Sequence, residues 1–216
     1  MKKIIIITIF ATLVAGIVLL SQCKRWEWGE TITYTIPEGK HAEFNFPTLI
    51  KGTEVWGGEM IIEYNPDQMI DTTHGFSYWN KLGGMMPDLS SNLIPGEHQS
   101  ARAAWRIDPP DMDHVYLGYI VYVWGQETPE RDYLYTPEGE KVRVGIGEPF
   151  KIFVSKSKTW WGITYGNEEA WKKIEDEELR GEQFMVAMDP YYGGHPVAPT
   201  EITITLRVYD TTWIYN

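Results

Sequence analysis

The sequence predicts an all-β fold, a jelly-roll β-sandwich with one short helix. Polar and apolar residues alternate strictly in several short segments, such as residues 31–36, and this period of two is typical of a strand with one buried face. Segments rich in glycine and proline separate the short runs and predict turns between them. Many short strands divided by turns, with a single helix, are typical of a β-sandwich.

The first 23 residues have the pattern of an export signal. Two lysines precede a mostly apolar run from Ile4 to Leu20, and the only cysteine of the chain, Cys23, follows closely. The position of Cys23 resembles a bacterial lipobox, which predicts cleavage and lipidation there. An uncleaved signal anchor is the alternative, because the apolar run is almost long enough to span a bilayer. Both interpretations predict an extracytoplasmic protein that contacts a membrane only through this N-terminal lipid or anchor.

The remainder, residues 24–216, is long enough for one substantial core and predicts a single β-sandwich domain. Strands are predicted, in chain order, at residues 31–36, 41–46, 58–64, 76–79, 100–107, 115–124, 133–135, 141–144, 150–155, 182–189, 201–209 and 212–215. Gly83, Gly84 and Pro87 predict a loop after the fourth strand. The helix is predicted from Asn167 to Arg180, because Asn167 suits an N-cap and acidic residues follow it.

Composition narrows the class of partner. The formal net charge of −11 argues against a nucleic acid, because phosphate binding needs a basic surface. Ten Trp and thirteen Tyr favour a surface that stacks sugar rings, although aromatic residues also fill β-sandwich cores. A polyanionic glycan is disfavoured at long range by the negative charge, but a local group of Arg and Lys can override this repulsion.

Two neighbouring strands carry the candidate site residues. Ser100, Arg102 and Arg106 stand at spacings of two and four, so they share one face of a strand. An arginine on such a face can hold a sugar carboxylate with two hydrogen bonds, whereas an outward-facing solvated strand is the alternative. On the next strand, Tyr116 and Tyr122 share a face, and a phenol near a cation can act as an acid or a base. Core packing is the alternative for each tyrosine.

No cofactor or metal site is predicted. The histidines are scattered and lack the spacing of zinc ligands. The acidic loop at residues 108–114 has the oxygen donors that calcium binds, but a solvated turn is the favoured interpretation because Asp and Pro are common turn formers.

Several segments together resemble polysaccharide lyase family 14 and related alginate and glucuronan lyases. The segments are Phe76, Lys81, Gly83-Gly84 and Pro87-x-Leu89, then Ser100-x-Arg102-x-x-Trp105-Arg106, and finally Pro190-Tyr-Tyr-Gly-Gly with Ala198-Pro199. The resemblance implies a concanavalin A-like jelly roll that cleaves a uronic-acid polysaccharide of the alginate or glucuronan type by β-elimination.

The resemblance also implies roles for individual residues. Arg102 is expected to neutralise the sugar carboxylate, Tyr116 or Tyr122 to act as acid or base, and Lys81 and Ser100 to assist. Substrate-binding residues are expected at Arg106, Trp79, Tyr119, Tyr192 and His195. Met85 stands where the family has a lysine, so the alternative is a non-catalytic glycan-binding lipoprotein of the same fold. A structural envelope lipoprotein is a third interpretation.

Overall fold

Two β-sheets packed face to face make up the part of the chain described by the computed structural model. That part comprises residues 24–25, 29–42, 48–51, 55–69, 78–86, 99–123, 128–156, 160–166, 169–175, 184–193 and 197–208. The predicted signal at residues 1–23, the predicted strand at residues 212–215 and His195 lie outside it. Within the described ranges, no helix is long and apolar enough to cross a membrane.

Strands account for nearly all the regular structure. They are β1 (Lys24–Arg25), β2 (Thr31–Ile36), β3 (Thr48–Lys51), β4 (Val55–Tyr64), β5 (Asn80–Met86), β6 (Ser100–Asp108), β7 (Asp111–Tyr122), β8 (Glu130–Tyr133), β9 (Arg143–Gly145), β10 (Phe150–Lys156), β11 (Trp160–Tyr165), β12 (Ala170–Glu175), β13 (Phe184–Met188) and β14 (Ile202–Val208). A single turn of 3-10 helix, Pro66–Gln68, follows β4.

The strands form a front sheet and a back sheet. The front sheet has the order β1-β3-β13-β5-β6-β7-β8, with β9 also paired to β7, and the back sheet has the order β12-β11-β10-β4-β14-β2. Neighbouring strands are antiparallel except for β1 and β3, which are parallel. The predicted β-sandwich is therefore confirmed.

The core lies between the sheets and follows from the alternation of side chains along each strand. Trp105 of the front sheet and Ile204 of the back sheet are fully buried in the same hydrophobic cluster, with Trp56 of β4. Residues one position away from these on the same strands, such as Arg106, therefore point to the outer surface of the sandwich. This alternation positions the candidate site on the outer face of the front sheet.

The predicted helix is wrong where the structure describes it. Residues 170–175 form β12, which pairs residue by residue with β11. Ala170 and Ile174 are buried, whereas Trp171 is 63% exposed, so the segment has a period of two. A helix would have placed Trp171 and Ile174 on the same side, and pairing with β11 overrides the helix-like N-cap signal.

The predicted loop at Gly83 and Gly84 is also wrong, because both residues lie inside β5. A Cβ on Gly84 would lie 2.1 Å from the carbonyl oxygen of Ala101, and one on Gly83 would lie 2.5 Å from the ring of Trp56. The two glycines therefore allow close approach of β6 and of the core, which is a known role of glycine within strands. The register shifts between Lys81 and Gly83, where β5 bulges against β6.

Candidate functional site

The outer face of the front sheet brings together side chains from β5, β6, β7 and β8. The pairing registers define two adjacent rows across these strands. The first row is Gly84, Arg102, Ile120 and Arg131, and the second row is Lys81, Ala104, Gly118 and Tyr133. Lys81 and Arg102, which the sequence predicts as site residues, thus belong to neighbouring strands of one face.

Several residues of this face have small side chains or none. Ala104 and Gly118 lie at the centre of the second row, and Gly84 lies at the end of the first. A Cβ on Gly118 would lie 2.4 Å from the ring of Trp79, so the absence of a side chain lets the indole lie against β7. Trp79 is buried there against Ala104 and Ile120, with Tyr122 and Tyr133 packed around them. The floor of the face is consequently apolar and aromatic.

Lys81 is half-buried at one side of this floor. Its Nζ donates a hydrogen bond to the carbonyl oxygen of Gly193 at 3.0 Å and lies 4.9 Å from the ring centroid of Tyr191. Burial lowers the pKa of Lys81 to about 8, and the positive charges of Arg102 and Arg131 add to the shift. A lysine with such a pKa exchanges protons near neutral pH.

Arg102 lies beside Lys81 and carries a buried guanidinium. Its Nε is enclosed and has no hydrogen-bond partner in the described part of the chain, while its Cζ lies 5.9 Å from the ring centroid of Tyr122. Burial lowers the pKa of Arg102 to about 10. Lys81, Arg102 and Arg131, which we call the open cation cluster, form no ion pair with any carboxylate of the described residues.

Three cations farther along the same face each contact a carboxylate. Arg106 Nε lies 2.7 Å from Oδ1 of Asp108, and Lys141 Nζ lies 3.1 Å from its Oδ2. Arg143 Nη1 lies 3.3 Å from Oδ2 of Asp111. We call these five residues the aspartate-paired cluster.

Hydrogen bonds lower the pKa of both aspartates in that cluster. Burial acts to raise the pKa of Asp108, but hydrogen bonds from Tyr133 and Lys141 and the charge of Arg106 outweigh it, so the pKa lies below its usual value. A hydrogen bond with His114 is the main cause of the lowered pKa of Asp111. Asp108 and Asp111 are thus ionised, and both contact cationic side chains of the protein itself.

Aromatic rings link the aspartate-paired cluster to the floor. The guanidinium carbon of Arg106 lies 5.5 Å from the ring centroids of both Trp79 and Tyr133, and these two rings meet edge to face at 4.9 Å. Lys141 Nζ lies 3.7 Å from the Tyr133 centroid, and the Tyr133 hydroxyl donates to Asp108 at 2.6 Å. Arg106 and Trp79, both predicted to bind substrate, therefore lie on the same face as Arg102.

The two tyrosines predicted as acid or base belong to different clusters. Tyr116 donates its hydroxyl hydrogen bond to Oδ2 of Asp111 at 3.1 Å, which places it in contact with the aspartate-paired cluster. Tyr122 pairs with Ser100 across the strands and has Arg102 over its ring. Tyr122 is therefore the tyrosine that the fold brings to the open cation cluster.

Three other predicted site residues are enclosed. Ser100 is 0% exposed, and Tyr119 and Tyr192 are side chains of the main hydrophobic core. The Tyr119 hydroxyl donates to Oε1 of Glu130 at 3.0 Å, and the Tyr192 ring meets Trp105 edge to face at 6.3 Å. Tyr119 and Tyr192 are thus not positioned to contact a ligand on the outer face.

Met85 also faces the core, where it is 0% exposed. The sequence comparison that put Met85 at the position of a family lysine is therefore not relevant to the outer face. Lys81 is the lysine that β5 presents beside Arg102.

Sequence reasoning missed Arg131, Tyr133 and Tyr191 as members of this face. The alternation of Arg131 and Tyr133 in the short strand β8 is the only local signal, and it does not tell which strand lies beside β8. Tyr191 joins the site through an isolated backbone bridge to Lys81. Such long-range pairing cannot be inferred from residue spacing.

No group of three or more His, Cys, Asp or Glu residues that could hold a metal ion occurs within the described ranges. Asp108 and Asp111, two of the three acids of the loop considered for calcium, contact Arg106, Lys141 and Arg143.

Comparison with known proteins shows the fold. The sequence matches no family model and no curated protein. Among solved structures, the chain is similar to the alginate lyase Aly36B, with 12% identity, a TM-score of 0.50 and coverage of 82% of this chain and 78% of that one. A family 16 endo-glucanase from Bacteroides ovatus gives 8% identity, a TM-score of 0.43 and coverage of 82% and 78%. The predicted jelly-roll sandwich is confirmed, whereas the resemblance to polysaccharide lyase family 14 in particular stays a prediction.

Proposed function

We propose that the protein is an exported polysaccharide lyase that cleaves a uronic-acid polysaccharide of the alginate or glucuronan type by β-elimination on the outer face of the front sheet. The observation that carries the proposal is the open cation cluster beside Tyr122, because it offers cations to an acidic ligand. Export is proposed from the sequence of residues 1–23 alone.

Arg102 is the group proposed to neutralise the uronate carboxylate. Its guanidinium is buried without a carboxylate partner in the described residues, so an incoming carboxylate would satisfy both its charge and its Nε. Neutralising that carboxylate makes the adjacent C5 proton more acidic, because negative charge develops there in the transition state.

Lys81 and Tyr122 are proposed to move the protons. With a pKa of about 8, Lys81 is neutral in part of the molecules at neutral pH, and its amine can accept the C5 proton. The electron pair left at C5 forms the C4–C5 double bond as the bond from C4 to the glycosidic oxygen breaks. The Tyr122 hydroxyl then gives its proton to that oxygen.

The fold is similar to that of a protein described as an alginate lyase, which fits both the proposal and its alternative. Met85 lies in the core, so it does not replace a lysine of the site, and this favours the proposal over the alternative. The alternative, non-catalytic glycan binding by the same face, is favoured by the hydrogen bond from Lys81 to Gly193, which stabilises the protonated lysine.

Formation of the unsaturated uronate product tests the proposal, because this product absorbs in the ultraviolet. The purified protein is incubated separately with alginate, polymannuronate and polyglucuronate. Absorbance should rise with at least one polymer. The rate of this rise should be lower by about 100-fold or more in Arg102→Ala, Lys81→Met and Tyr122→Phe. Tyr116→Phe is the matched control, because its hydroxyl bonds to Asp111, and it should keep most of the activity.

Binding measured by affinity electrophoresis separates the two functions. Retention of the protein by a polymer without product formation would establish the glycan-binding alternative. The proposal is rejected altogether if the protein neither cleaves nor binds these polymers.

A further inference from the structure

Arg131 has a defined position relative to Arg102. The pairing of β6, β7 and β8 puts Arg102, Ile120 and Arg131 in one row across the strands. Because neighbouring strands lie about 4.8 Å apart, the backbones at the two arginines are about 10 Å apart. Both side chains point to the outer face, since Ile120 between them belongs to the outer aromatic cluster with Trp79.

Arg131 is exposed and makes no hydrogen bond or ion pair with a described residue. Its charge nevertheless reaches Lys81, whose pKa it helps to lower. Arg143 is also an exposed arginine of the same face, but it is held by Asp111. Of these two, therefore, Arg131 is the one whose guanidinium can bind an outside anion without first losing an aspartate.

The surface between Arg102 and Arg131 is uncharged. Ile120 is buried there, and the rings of Tyr122 and Tyr133 pack against it. The row thus has a cation at Arg102, an apolar patch at Ile120 and a second cation at Arg131. Sugar rings have apolar C–H faces that pack on aromatic side chains, while carboxylates on the same chain suit the arginines at either side.

We infer that Arg131 is a specificity-determining residue that binds a second anionic group of the glycan held by Arg102. The glycan chain accordingly crosses β6, β7 and β8 along this row and carries acidic groups at more than one position. This inference rests on the proposed function, because it assumes that Arg102 binds a uronate.

The dependence of affinity on chain length tests this inference. Dissociation constants for mannuronate and glucuronate oligosaccharides, from the disaccharide upward, are measured by calorimetry at low ionic strength for the wild type, Arg131→Ala and Arg131→Lys. Arg131→Ala should bind the longer oligosaccharides about fivefold more weakly and the disaccharide equally well. Arg131→Lys should recover part of the loss, and added salt should reduce the difference between wild type and Arg131→Ala.

Arg143→Ala is the matched control and should weaken binding less than Arg131→Ala, by the same factor at every chain length. Equal losses of affinity in Arg131→Ala and Arg143→Ala would show that only the net charge of the protein matters, and would overturn the inference. Wild-type affinity of Arg131→Ala at all lengths, with Arg102→Ala impaired, would overturn it and leave the proposed function intact. No binding by the wild type would overturn both.

Discussion

Two groups of basic side chains share the outer face of the front sheet, and they differ in what surrounds them. In the aspartate-paired cluster, Arg106 and Lys141 contact Asp108, and Arg143 contacts Asp111. In the open cation cluster, Arg102 and Lys81 have no such partner among the described residues. Arg102 and Arg106 are only four residues apart on β6, so the contrast arises within one strand.

The contrast lies in charge pairing rather than in charge content, and it is the reason for proposing the open cation cluster as the binding surface. A paired arginine already has a carboxylate beside it, as Arg106 has in Asp108. A buried arginine without an acid costs free energy in the empty protein, and a ligand that neutralises it recovers that cost. The overall charge of −11 does not reveal this local difference.

The largest expected effect comes from a substitution that forces apart β5 and β6, the strands that carry Lys81 and Arg102. Gly84→Ala should lower the free energy of unfolding by about 3 kcal/mol, because its Cβ would lie 2.1 Å from the Ala101 carbonyl oxygen at a φ of +155°. Urea unfolding measures the loss. Gly139→Ala is the control, since Gly139 also has a positive φ but nothing within 4 Å, and it should lose about 1 kcal/mol. Equal losses in both variants would contradict the role of close strand approach.

Replacing one arginine of each cluster by methionine should change stability in opposite directions. Arg106→Met should lower the free energy of unfolding by about 1.5 kcal/mol, because it removes an ion pair with Asp108 and stacking on Trp79. Arg102→Met should raise it by about 1 kcal/mol, because it removes a buried charge that has no carboxylate partner among the described residues. Urea unfolding of both variants under one condition checks the signs, and a loss in Arg102→Met as large as that in Arg106→Met would contradict the comparison.

Removing an aspartate should make the aspartate-paired cluster resemble the open one. Asp108→Asn leaves Arg106 and Lys141 without their carboxylate and should tighten binding of polymannuronate about threefold at low salt. Affinity electrophoresis compares it with Asp67→Asn, which removes an exposed acid from the 3-10 turn elsewhere. Equal tightening in both variants would show that only net charge matters.

The same variant should change acid unfolding. The pKa of Asp108 is lowered in the folded protein, so its contribution to stability is present above the unfolded pKa of about 3.9 and is lost as the pH falls through the folded value. Asp108→Asn should therefore be less stable than the wild type at neutral pH, and the difference should shrink below about pH 4.

The smallest expected effect is a difference in pH dependence between two lysines. Lys81 has a folded pKa of about 8, below the unfolded value of about 10.4, so the unfolded chain binds more protons between these values and the cost of the charged Lys81 in the folded protein falls as the pH rises. Burial acts to lower the pKa of Lys141, but hydrogen bonds with Asp108 and Tyr133 raise it overall, so its contribution to stability is fully present below the unfolded value of about 10.4 and is lost only above it. From pH 7 to pH 10, the stability difference from the wild type should therefore change in Lys81→Met and stay constant in Lys141→Met. Parallel trends would contradict the assignment of the two lysines to different surroundings.

The sequence predicted the sandwich because the period of two is a local property. Residues 31–36 and 100–107 show it, and both form strands as expected. The same logic failed at Ala170–Glu175, where an N-cap and acidic residues mimic a helix start although β11 pairs with this segment. It also failed at Gly83 and Gly84, because a glycine required by a close neighbour looks in sequence like a glycine required by a turn.

Sequence spacing predicted which site residues share a face within one strand, but not which strands lie side by side. The spacing of Arg102 and Arg106 correctly predicted that they share a face. The pairing of Arg106 depends on Asp108, two residues farther along β6, and Lys141 reaches the same carboxylate from a distant segment. Arg131 joins Arg102 through the register of β7 with β8, which residue spacing does not encode.

The lowered pKa of Lys81 has a calorimetric consequence. A bound carboxylate would favour the charged ammonium, so the pKa of Lys81 would rise when an acidic glycan binds. Around pH 8 and above, association would then take a proton from the buffer, and the measured heat would include the ionisation enthalpy of that buffer. Two buffers of different ionisation enthalpy would give different heats for the same complex, and this difference counts the protons taken up.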